Sequence, residues 1–371
     1  VPLPRLGDFG GTQMAQLFGR RWTRKQLLDR VGDPSQLAMV RPSTLTEGKS
    51  KGVSVIEFST GSGLRFTVVP DRALDISAAE HSGRSLCWRS VTGETDPRFY
   101  QPEGLEWLYS FFGGLLTTCG LTQVGAPCED EGKPLGLHGR VSNIPAQEVH
   151  LQSGWDGDEY LIGVTGRVVE ASVFGPCLSL TRSIFTFLGQ DRIYLHDEVT
   201  NIGHDPAPQM ILYHINVGFP ILDAGSKILI PSRKAIPRDA VAAKGVATFS
   251  KSQLPTPGYR EQVFFHELAD ERGSTMAGVV NPDLDFGVYV GFNRKQFPCF
   301  TQWKMMGKGV YALGLEPGTN RPGGRAEERA AGRLQMLQPG QSATYDLEFG
   351  VLKDKDECEK FEQAVKNLVR S

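Results

Sequence analysis

Two runs of alternating apolar and polar residues lie in VSVIEFSTGSGLRFTVV, residues 53–69. Successive side chains of a β-strand point to opposite faces of a sheet, so each run predicts a strand. Gly61 and Gly63, which separate the runs, predict a hairpin turn. Similar runs occur at residues 72–76, 178–188, 192–199, 209–217, 285–292 and 344–351. Turn residues separate such runs roughly every ten positions, which predicts an all-β sandwich or barrel.

Helical patterns are found in three segments, residues 23–31, 103–112 and 354–370. The first has a capping residue at Thr23. The third has an apolar stripe, acidic residues in its first turn and basic residues in its last. This pattern favours a helix that packs outside the sheets.

The chain has no low-complexity linker and no internal repeat, so we predict a single domain, residues 1–371. It would consist of a helical or irregular N-terminal extension (1–49), the sheets (50–352) and a C-terminal helix (353–371). The segment 317–333 is rich in Gly, Arg and Glu. It predicts a mobile region, which is either a loop that closes over a ligand or a solvated turn.

The composition is that of an ordinary globular protein, with 40% hydrophobic residues, 22% charged residues and a formal net charge of −2. A near-neutral chain without a Lys/Arg block argues against nucleic acid or a membrane surface as partner. Six cysteines lie far apart without a CxxC pair, which favours a reduced, cytoplasmic setting. The sequence sets neither the oligomeric state nor whether a leader preceded Val1.

Three short segments each place one group suited to acid–base chemistry among small or apolar neighbours. They are GLHGR at residues 136–140, LYHIN at 212–216 and LGLEP at 313–317. Alternation puts His214 and Asn216 on one strand face, which predicts a buried network or a cavity wall. Glu316 follows an uncharged run, so burial would raise its pKa. A proton acceptor and a proton donor are the minimum set for opening and closing a sugar hemiacetal.

The order of these three segments resembles that of the aldose 1-epimerase (galactose mutarotase) superfamily. Further similarity lies at residues 70–76, 113–120 and 302–304, and the resemblance spans about residues 50–352. It implies an antiparallel β-supersandwich with a few peripheral helices. It also implies an isomerase of the 1-epimerase type that acts on a small-molecule sugar without a cofactor.

The resemblance assigns a role to each of the three groups. Glu316 matches the general base at the anomeric hydroxyl, and His214 matches the general acid at the ring oxygen. His138 matches the histidine that binds and orients the sugar. Such a pair predicts a bell-shaped dependence of the rate on pH, since one group must be deprotonated and the other charged.

Other residues are predicted to bind the substrate. The family's arginine has no counterpart at residues 111–125, so Arg72 or Arg140 is expected to supply a guanidinium. Asp75 would line the same pocket as Arg72 only if a bulge interrupts the strand. Trp107 would stack on a sugar face or pack in the core.

The remaining predicted substrate-binding residues are Asn216 and Lys304. An ammonium within a mostly apolar strand needs a partner, and a sugar hydroxyl, a phosphate or Glu316 could serve for Lys304. The alternative is a surface lysine on an edge strand. Alternation puts Lys304 and Gln302 on one face and Trp303 on the other.

Two other functions are compatible with the sequence. The first is a metal-assisted isomerase or lyase acting on a sugar or keto-sugar, with a divalent metal held by the two histidines and carboxylates such as Glu316. No HxH or HxxxE spacing supports it. The second is a carbohydrate-binding protein without turnover. Such a protein would have no need for both an acid and a base.

Overall fold

The computed structural model describes residues 14–370, which form 24 strands and four α-helices. The strands are β1 (Ala15–Leu17), β2 (Arg20–Trp22), β3 (Met39–Thr44), β4 (Ser54–Ser59), β5 (Leu64–Val69), β6 (Asp75–His81), β7 (Arg84–Ser85), β8 (Thr117–Leu121), β9 (Cys128–Asp130), β10 (Lys133–Leu135), β11 (Gln147–Asp156), β12 (Glu159–Ala171), β13 (Cys177–Phe187), β14 (Arg192–Asn201), β15 (Ala207–Val217), β16 (Lys227–Leu229), β17 (Ser232–Pro237), β18 (Gln262–Leu268), β19 (Ser274–Asn281), β20 (Phe286–Asn293), β21 (Cys299–Met306), β22 (Tyr311–Gly318), β23 (Gln335–Leu337) and β24 (Ser342–Leu352). The α-helices are α1 (Arg24–Leu28), α2 (Ala240–Ala243), α3 (Arg325–Ala330) and α4 (Lys355–Arg370). Short 3₁₀ helices lie at Pro34–Gln36, Gly48–Ser50, Pro70–Arg72, Pro97–Phe99, Glu106–Tyr109, Val141–Asn143 and Val246–Thr248.

Three antiparallel sheets carry most of the chain, which confirms the all-β prediction. The largest has eight strands in the order β11-β12-β13-β14-β24-β20-β19-β16. The second has seven, β17-β18-β21-β22-β15-β23, with β8 also paired to β15. The third has five, β3-β4-β5-β6-β7. Their inner faces share one hydrophobic core.

The hairpin predicted from residues 53–69 is present. Strands β4 and β5 pair in antiparallel register with Phe58 opposite Phe66. The two rings stack with their centroids 4.4 Å apart, on the buried side of the five-stranded sheet. The alternation in the sequence therefore identified both the strands and the face that they bury.

Strand β15 is buried along its whole length, so both of its faces are covered. Tyr213, Ile215 and Val217 belong to the hydrophobic core that the sheets share. His214 and Asn216 alternate with them and lie on the other face, which we call the outer face of the seven-stranded sheet.

Some predicted segments differ from the structure. The helix expected at 103–112 is only the 3₁₀ turn Glu106–Tyr109, whereas the C-terminal helix is present as α4. The N-terminal extension is not purely helical or irregular, because Met39–Thr44 is a strand that pairs with β4. The part of the extension at residues 1–13 lies outside the described residues.

The segment after Glu316, expected to be mobile, is tied down by ion pairs. It contains α3, in which Arg325 is buried and bonds Asp130. Arg329 contacts the same carboxylate.

All six cysteines lie within residues 14–370 and are free thiols. In that same range, no helix is long and apolar enough to cross a membrane.

Candidate active site

His214 and Glu316 lie opposite each other on two neighbouring strands. Strands β15 and β22 pair with Asn216 opposite Gly314 and with Leu212 opposite Gly318. The same register places His214 opposite Glu316, with both side chains on the outer face. His214 Nε2 lies 3.3 Å from Glu316 Oε1, and the two side chains are 8% and 3% exposed. An acid–base pair is therefore assembled in a nearly dry environment.

A glycine two residues before Glu316 makes room for its carboxylate. A Cβ atom on Gly314 would collide with Glu316 Oε1 and would crowd the Cβ of Trp303. Residues i and i+2 of a strand share a face, so the carboxylate folds back over the empty position. The Gly314-Leu315-Glu316 order thus sets where the carboxylate lies.

His138 reaches the same site from a loop. Its backbone is left-handed (φ 57°) and is held by two hydrogen bonds, from His138 N to the Gly125 carbonyl and from Gly120 N to the His138 carbonyl. The ring centroid lies 5.9 Å from that of His214, at an interplanar angle of 82°. The flanking Gly139 allows close approach of the Gly120 backbone rather than of a ligand.

Aromatic side chains surround the pair. Trp303 and Phe111 meet the His214 ring edge-on, with centroids 5.5 Å and 5.1 Å away. Trp88 contacts both of these rings. Such walls exclude water and offer apolar surface to a ligand.

Burial shifts the pKa of each titratable group toward its neutral form. Desolvation, with a further contribution from the nearby His214, lowers the pKa of His138 to about 3. Desolvation also lowers the pKa of His214 to about 4, against an opposing contribution from Asn216. It raises the pKa of Glu316 well above its ordinary value, with the negative charge of Glu261 adding to the shift.

Several buried polar atoms around the pair have no hydrogen-bond partner among the described residues. They are His138 Nδ1, His214 Nδ1, Asn216 Oδ1, Thr301 Oγ1 and Glu316 Oε1. Thr301 lies directly opposite Glu316 on β21, so its hydroxyl belongs to the same face. Native proteins rarely leave buried polar atoms unpaired, so a cluster of them indicates a place for a polar ligand or water.

Arg72 and Asp75 do not line this site, which corrects the prediction. Both are fully buried. Arg72 donates to the backbone carbonyls of Ser142, Thr95 and Ser110. Asp75 pairs with Arg182 and accepts from the Thr118 hydroxyl. Arg72 therefore connects backbone segments, and Asp75 connects two sheets through Arg182.

Lys304 also has a different partner from those predicted. It lies opposite Leu313 on β22, on the face away from Glu316. Its Nζ donates to the carbonyls of Thr248 at 2.9 Å and Lys251 at 2.7 Å. Burial lowers its pKa to about 8. Lys304 therefore anchors a loop on the inner side and is not an exposed edge lysine either.

The three remaining predicted binding residues have distinct positions. Trp107 is buried and backs His138, with ring centroids 4.8 Å apart, while its Nε1 donates to Ser142. It packs in the core, the second of its two predicted fates. Asn216 is buried on the outer face beside His214. Arg140 is exposed next to His138, and its contact with a ligand stays a prediction.

Sequence reasoning missed Thr301, Gly314, Phe111 and Trp88. The alternation around Lys304 put Trp303 on the opposite face, which Thr301 shares because it lies two residues before Trp303, but alternation did not indicate which face carries the site. Only the register between β21 and β22 identifies the face that carries the site.

Within residues 14–370, no three or more His, Cys, Asp or Glu side chains form a group that could hold a metal ion.

Comparison with known proteins identifies the family. The family described as a domain of unknown function (DUF4432) matches residues 50–351. A solved structure from Klebsiella pneumoniae subsp. pneumoniae MGH 78578, described as a candidate aldose 1-epimerase, is 31% identical with a TM-score of 0.86. That similarity covers 91% of this chain and 90% of the Klebsiella chain. The search of curated proteins gave no match.

More distant structures share the fold. A galactose mutarotase-like protein from Clostridium acetobutylicum is 15% identical with a TM-score of 0.60, covering 85% of this chain and 99% of that one. Galactose 1-epimerase from Lactobacillus acidophilus NCFM is 12% identical with a TM-score of 0.55, again covering 85% and 99%. The chain therefore belongs to the DUF4432 family and has the antiparallel β-supersandwich fold of the galactose mutarotase-like proteins.

Proposed function

We propose that the protein is a sugar isomerase of the aldose 1-epimerase type, which interconverts anomers through acid–base ring opening. The observation that carries the proposal is the 3.3 Å separation of His214 Nε2 and Glu316 Oε1 on one buried face. The hydroxyl oxygen and the ring oxygen of a cyclic sugar are both bonded to C1. Two adjacent groups can therefore reach both oxygens at once.

In the proposed reaction, ionised Glu316 removes the proton of the C1 hydroxyl while protonated His214 donates a proton to the ring oxygen. The bond between C1 and the ring oxygen breaks, and C1 becomes an aldehyde. Rotation about C1–C2 followed by the reverse steps gives the other anomer. Each positioned proton transfer contributes about 10²–10⁴ in rate, and no cofactor takes part in these steps.

His214 and Glu316 together need only one titratable proton, counted in addition to the N–H proton of the neutral imidazole. Ionised Glu316 with protonated His214, and neutral Glu316 with neutral His214, carry the same net charge and differ in where that proton lies. The first form is consumed by ring opening and the second is produced by it. Burial favours the neutral form, so the energy of the pair falls as the ring opens.

The surroundings support a sugar over other small molecules. A sugar hydroxyl both donates and accepts hydrogen bonds, so a ring of hydroxyls can satisfy unpaired polar atoms such as His138 Nδ1 and Thr301 Oγ1. Trp303 and Phe111 suit the apolar faces of a pyranose. The Klebsiella relative is described as a candidate aldose 1-epimerase, which agrees with this choice.

Anomer exchange tests the proposal directly. A panel of neutral, phosphorylated and sulfonated aldoses would be followed by polarimetry and one-dimensional NMR. We expect Glu316→Gln and His214→Asn each to lower the exchange rate by at least about 10²-fold without loss of the fold. Lys304→Met serves as a matched control because it changes a buried charged residue on the other face. Unchanged exchange across the panel with wild-type protein would leave a binding function, and full activity in either site variant would refute the assigned roles.

The pH dependence of exchange should be bell-shaped, with limbs set by burial. His214 and Glu316 are active while they share one titratable proton. Because the pKa of His214 is lowered to about 4, the inactive two-proton form should appear only below about pH 4. Because burial raises the pKa of Glu316, the last proton should leave only at a pH well above the ordinary pKa of a glutamate. Rates corrected for the buffer would be measured from about pH 3 to about pH 10. An acid limb at the ordinary histidine pKa would contradict this assignment.

A further inference from the structure

The amide of Asn216 has a fixed orientation. Its Nδ2 donates to the Gly114 carbonyl at 3.2 Å and to the His214 carbonyl at 2.9 Å. Both partners are acceptors only, so the NH₂ group must face them. The residue is fully buried, and its Oδ1 has no partner in the described part of the chain. The side chain thus offers one buried acceptor whose position the backbone determines.

A second unpaired atom belongs to His214, whose side chain interacts with that of Asn216, because Asn216 raises the pKa of His214 against the effect of burial. His214 and Asn216 are two residues apart on β15, and therefore share the outer face. His214 Nδ1 is buried and has no partner within residues 14–370, whereas Nε2 is turned toward Glu316. A neutral imidazole carries its single proton on either Nδ1 or Nε2. An acceptor beside Nδ1 stabilises the tautomer that has the proton there.

We propose that Asn216 is a positioning residue that keeps the neutral ring of His214 protonated at Nδ1 and bare at Nε2. The Nε2 lone pair then faces Glu316 and the substrate. Asn216 touches neither the substrate nor the reacting atoms, and it acts through His214. The catalytic consequence rests on the function proposed above, while the tautomer itself can be observed without any substrate.

The tautomer sets the direction in which the proton moves. With Nε2 bare, His214 can accept a proton from neutral Glu316, which breaks an O–H bond and forms an N–H bond. The ring then carries a positive charge, with Nδ1–H donating to Asn216 Oδ1. If Nε2 were protonated instead, the ring would present an N–H to a protonated carboxyl group and could not accept its proton. The neutral pair could then return to the charged pair neither by this direct transfer nor by ring closure, in which Nε2 takes the proton of the ring-forming hydroxyl while neutral Glu316 gives its proton to the aldehyde oxygen.

Nitrogen-15 NMR of protein labelled at histidine tests the proposal. The chemical shifts of protonated and bare ring nitrogens are well separated, and the signals of His214 can be assigned by their loss in His214→Gln. We expect the neutral ring of wild-type protein to show a protonated Nδ1 and a bare Nε2. A protonated Nε2 in the neutral ring would overturn the proposal, and this measurement needs no variant of Asn216 that folds.

Replacement of Asn216 adds the kinetic test. We expect Asn216→Ala to shift His214 toward the Nε2–H tautomer and to lower kcat by about 10–100-fold with little change in KM, as when other orienting partners are lost. Asn201→Ala is the matched control. Asn201 is also fully buried and also donates to two carbonyls, those of Asp205 and Leu337. It should lose stability while the His214 tautomer and kcat stay unchanged.

The outcomes separate this inference from the proposed function. A protonated Nδ1 in a protein that exchanges no anomers would support the tautomer and refute the isomerase. Activity combined with an unchanged tautomer in Asn216→Ala would refute the positioning role and leave the isomerase in place. A fall in kcat in both Asn216→Ala and Asn201→Ala, with the same tautomer in each, would show that the effect is only structural.

Discussion

Two clusters of polar residues, all buried except the half-buried His138, lie back to back across the seven-stranded sheet, and they are built in opposite ways. On the inner side, the ionic cluster comprises Arg182, Asp75, Asp197, Thr118 and Tyr213. On the outer side, the site comprises His214, Glu316, His138, Asn216 and Thr301. Tyr213 and His214 are neighbours on β15, so a single residue step separates the clusters.

The ionic cluster is fully hydrogen-bonded. Arg182 bonds both oxygens of Asp197 and one oxygen of Asp75, and it also donates to Thr118. Tyr213 donates to Asp197 at 2.6 Å. These residues come from all three large sheets, namely from β13, β14, β6, β8 and β15. The cluster therefore fixes how the sheets sit against one another.

The site has the reverse property, since each of its five residues keeps a buried polar atom without a hydrogen-bond partner in the part of the chain described here. Leaving such an atom unpaired costs roughly 1–3 kcal/mol, so the arrangement is not one that stability alone would favour. Functional sites often carry this kind of local cost. The contrast teaches that unpaired polar atoms, more than burial or charge, mark the face on which a ligand is expected.

The largest effect should follow from breaking the ionic cluster. Arg182→Met would leave two buried carboxylates without their cation, and we expect the free energy of unfolding to fall by about 3–5 kcal/mol. Urea unfolding followed by circular dichroism measures it. Arg192→Met is the control, because Arg192 is half exposed and its 3.5 Å ion pair with Glu348 should contribute less than about 1 kcal/mol.

If Arg182→Met does not fold, Tyr213→Phe provides the milder test. It removes only the hydrogen bond to Asp197, which should cost roughly 1.5–3 kcal/mol because the acceptor is charged. Equal stability of Tyr213→Phe and wild type would contradict the view that this cluster is tightly coupled.

The sequence predicted the local parts of this comparison. Alternation identified β4, β5 and β15, and it correctly grouped His214 with Asn216 on one face. It could do so because the direction of a strand side chain depends on nearest neighbours along the chain. The three groups His138, His214 and Glu316 were also chosen from local context, and the structure brings them together.

The sequence could not predict which strands lie side by side. Thr301 belongs to the site only because β21 pairs with β22 in one particular register. For the same reason Lys304 was placed near Glu316 when it lies on the opposite face. Arg72 was expected to bind a ligand because the arginine of the resembled family has no counterpart at residues 111–125. Its partners are backbone carbonyls of three separate segments, which no sequence pattern reveals.

The next largest effect should follow from adding a methyl group at Gly314, the glycine that makes room for the Glu316 carboxylate. In Gly314→Ala the new methyl group would collide with Glu316 Oε1 and push the carboxylate away from His214. We expect anomer exchange to slow by about 10²-fold, since a displacement of about 1 Å can have that effect. Gly291→Ala is the control, because a methyl group on this strand glycine would meet no atom closer than 4.0 Å. Normal exchange in Gly314→Ala would show that the position of the carboxylate is not critical.

The smallest effect should come from a pair of Thr→Val changes, which compares an unpaired buried hydroxyl in the site with a hydrogen-bonded one outside it. The hydroxyl of Thr301 has no partner among residues 14–370, whereas that of Thr186 donates to the Arg192 carbonyl at 2.6 Å. Thr301→Val should therefore leave stability unchanged or slightly higher, while Thr186→Val should lose about 1 kcal/mol. Exchange should slow by roughly 3–10-fold in Thr301→Val alone, because one hydrogen bond to the substrate or to ionised Glu316 is missing. Loss of stability in Thr301→Val without loss of exchange would mean that its hydroxyl serves the fold, and that an unpaired buried atom does not mark the ligand face.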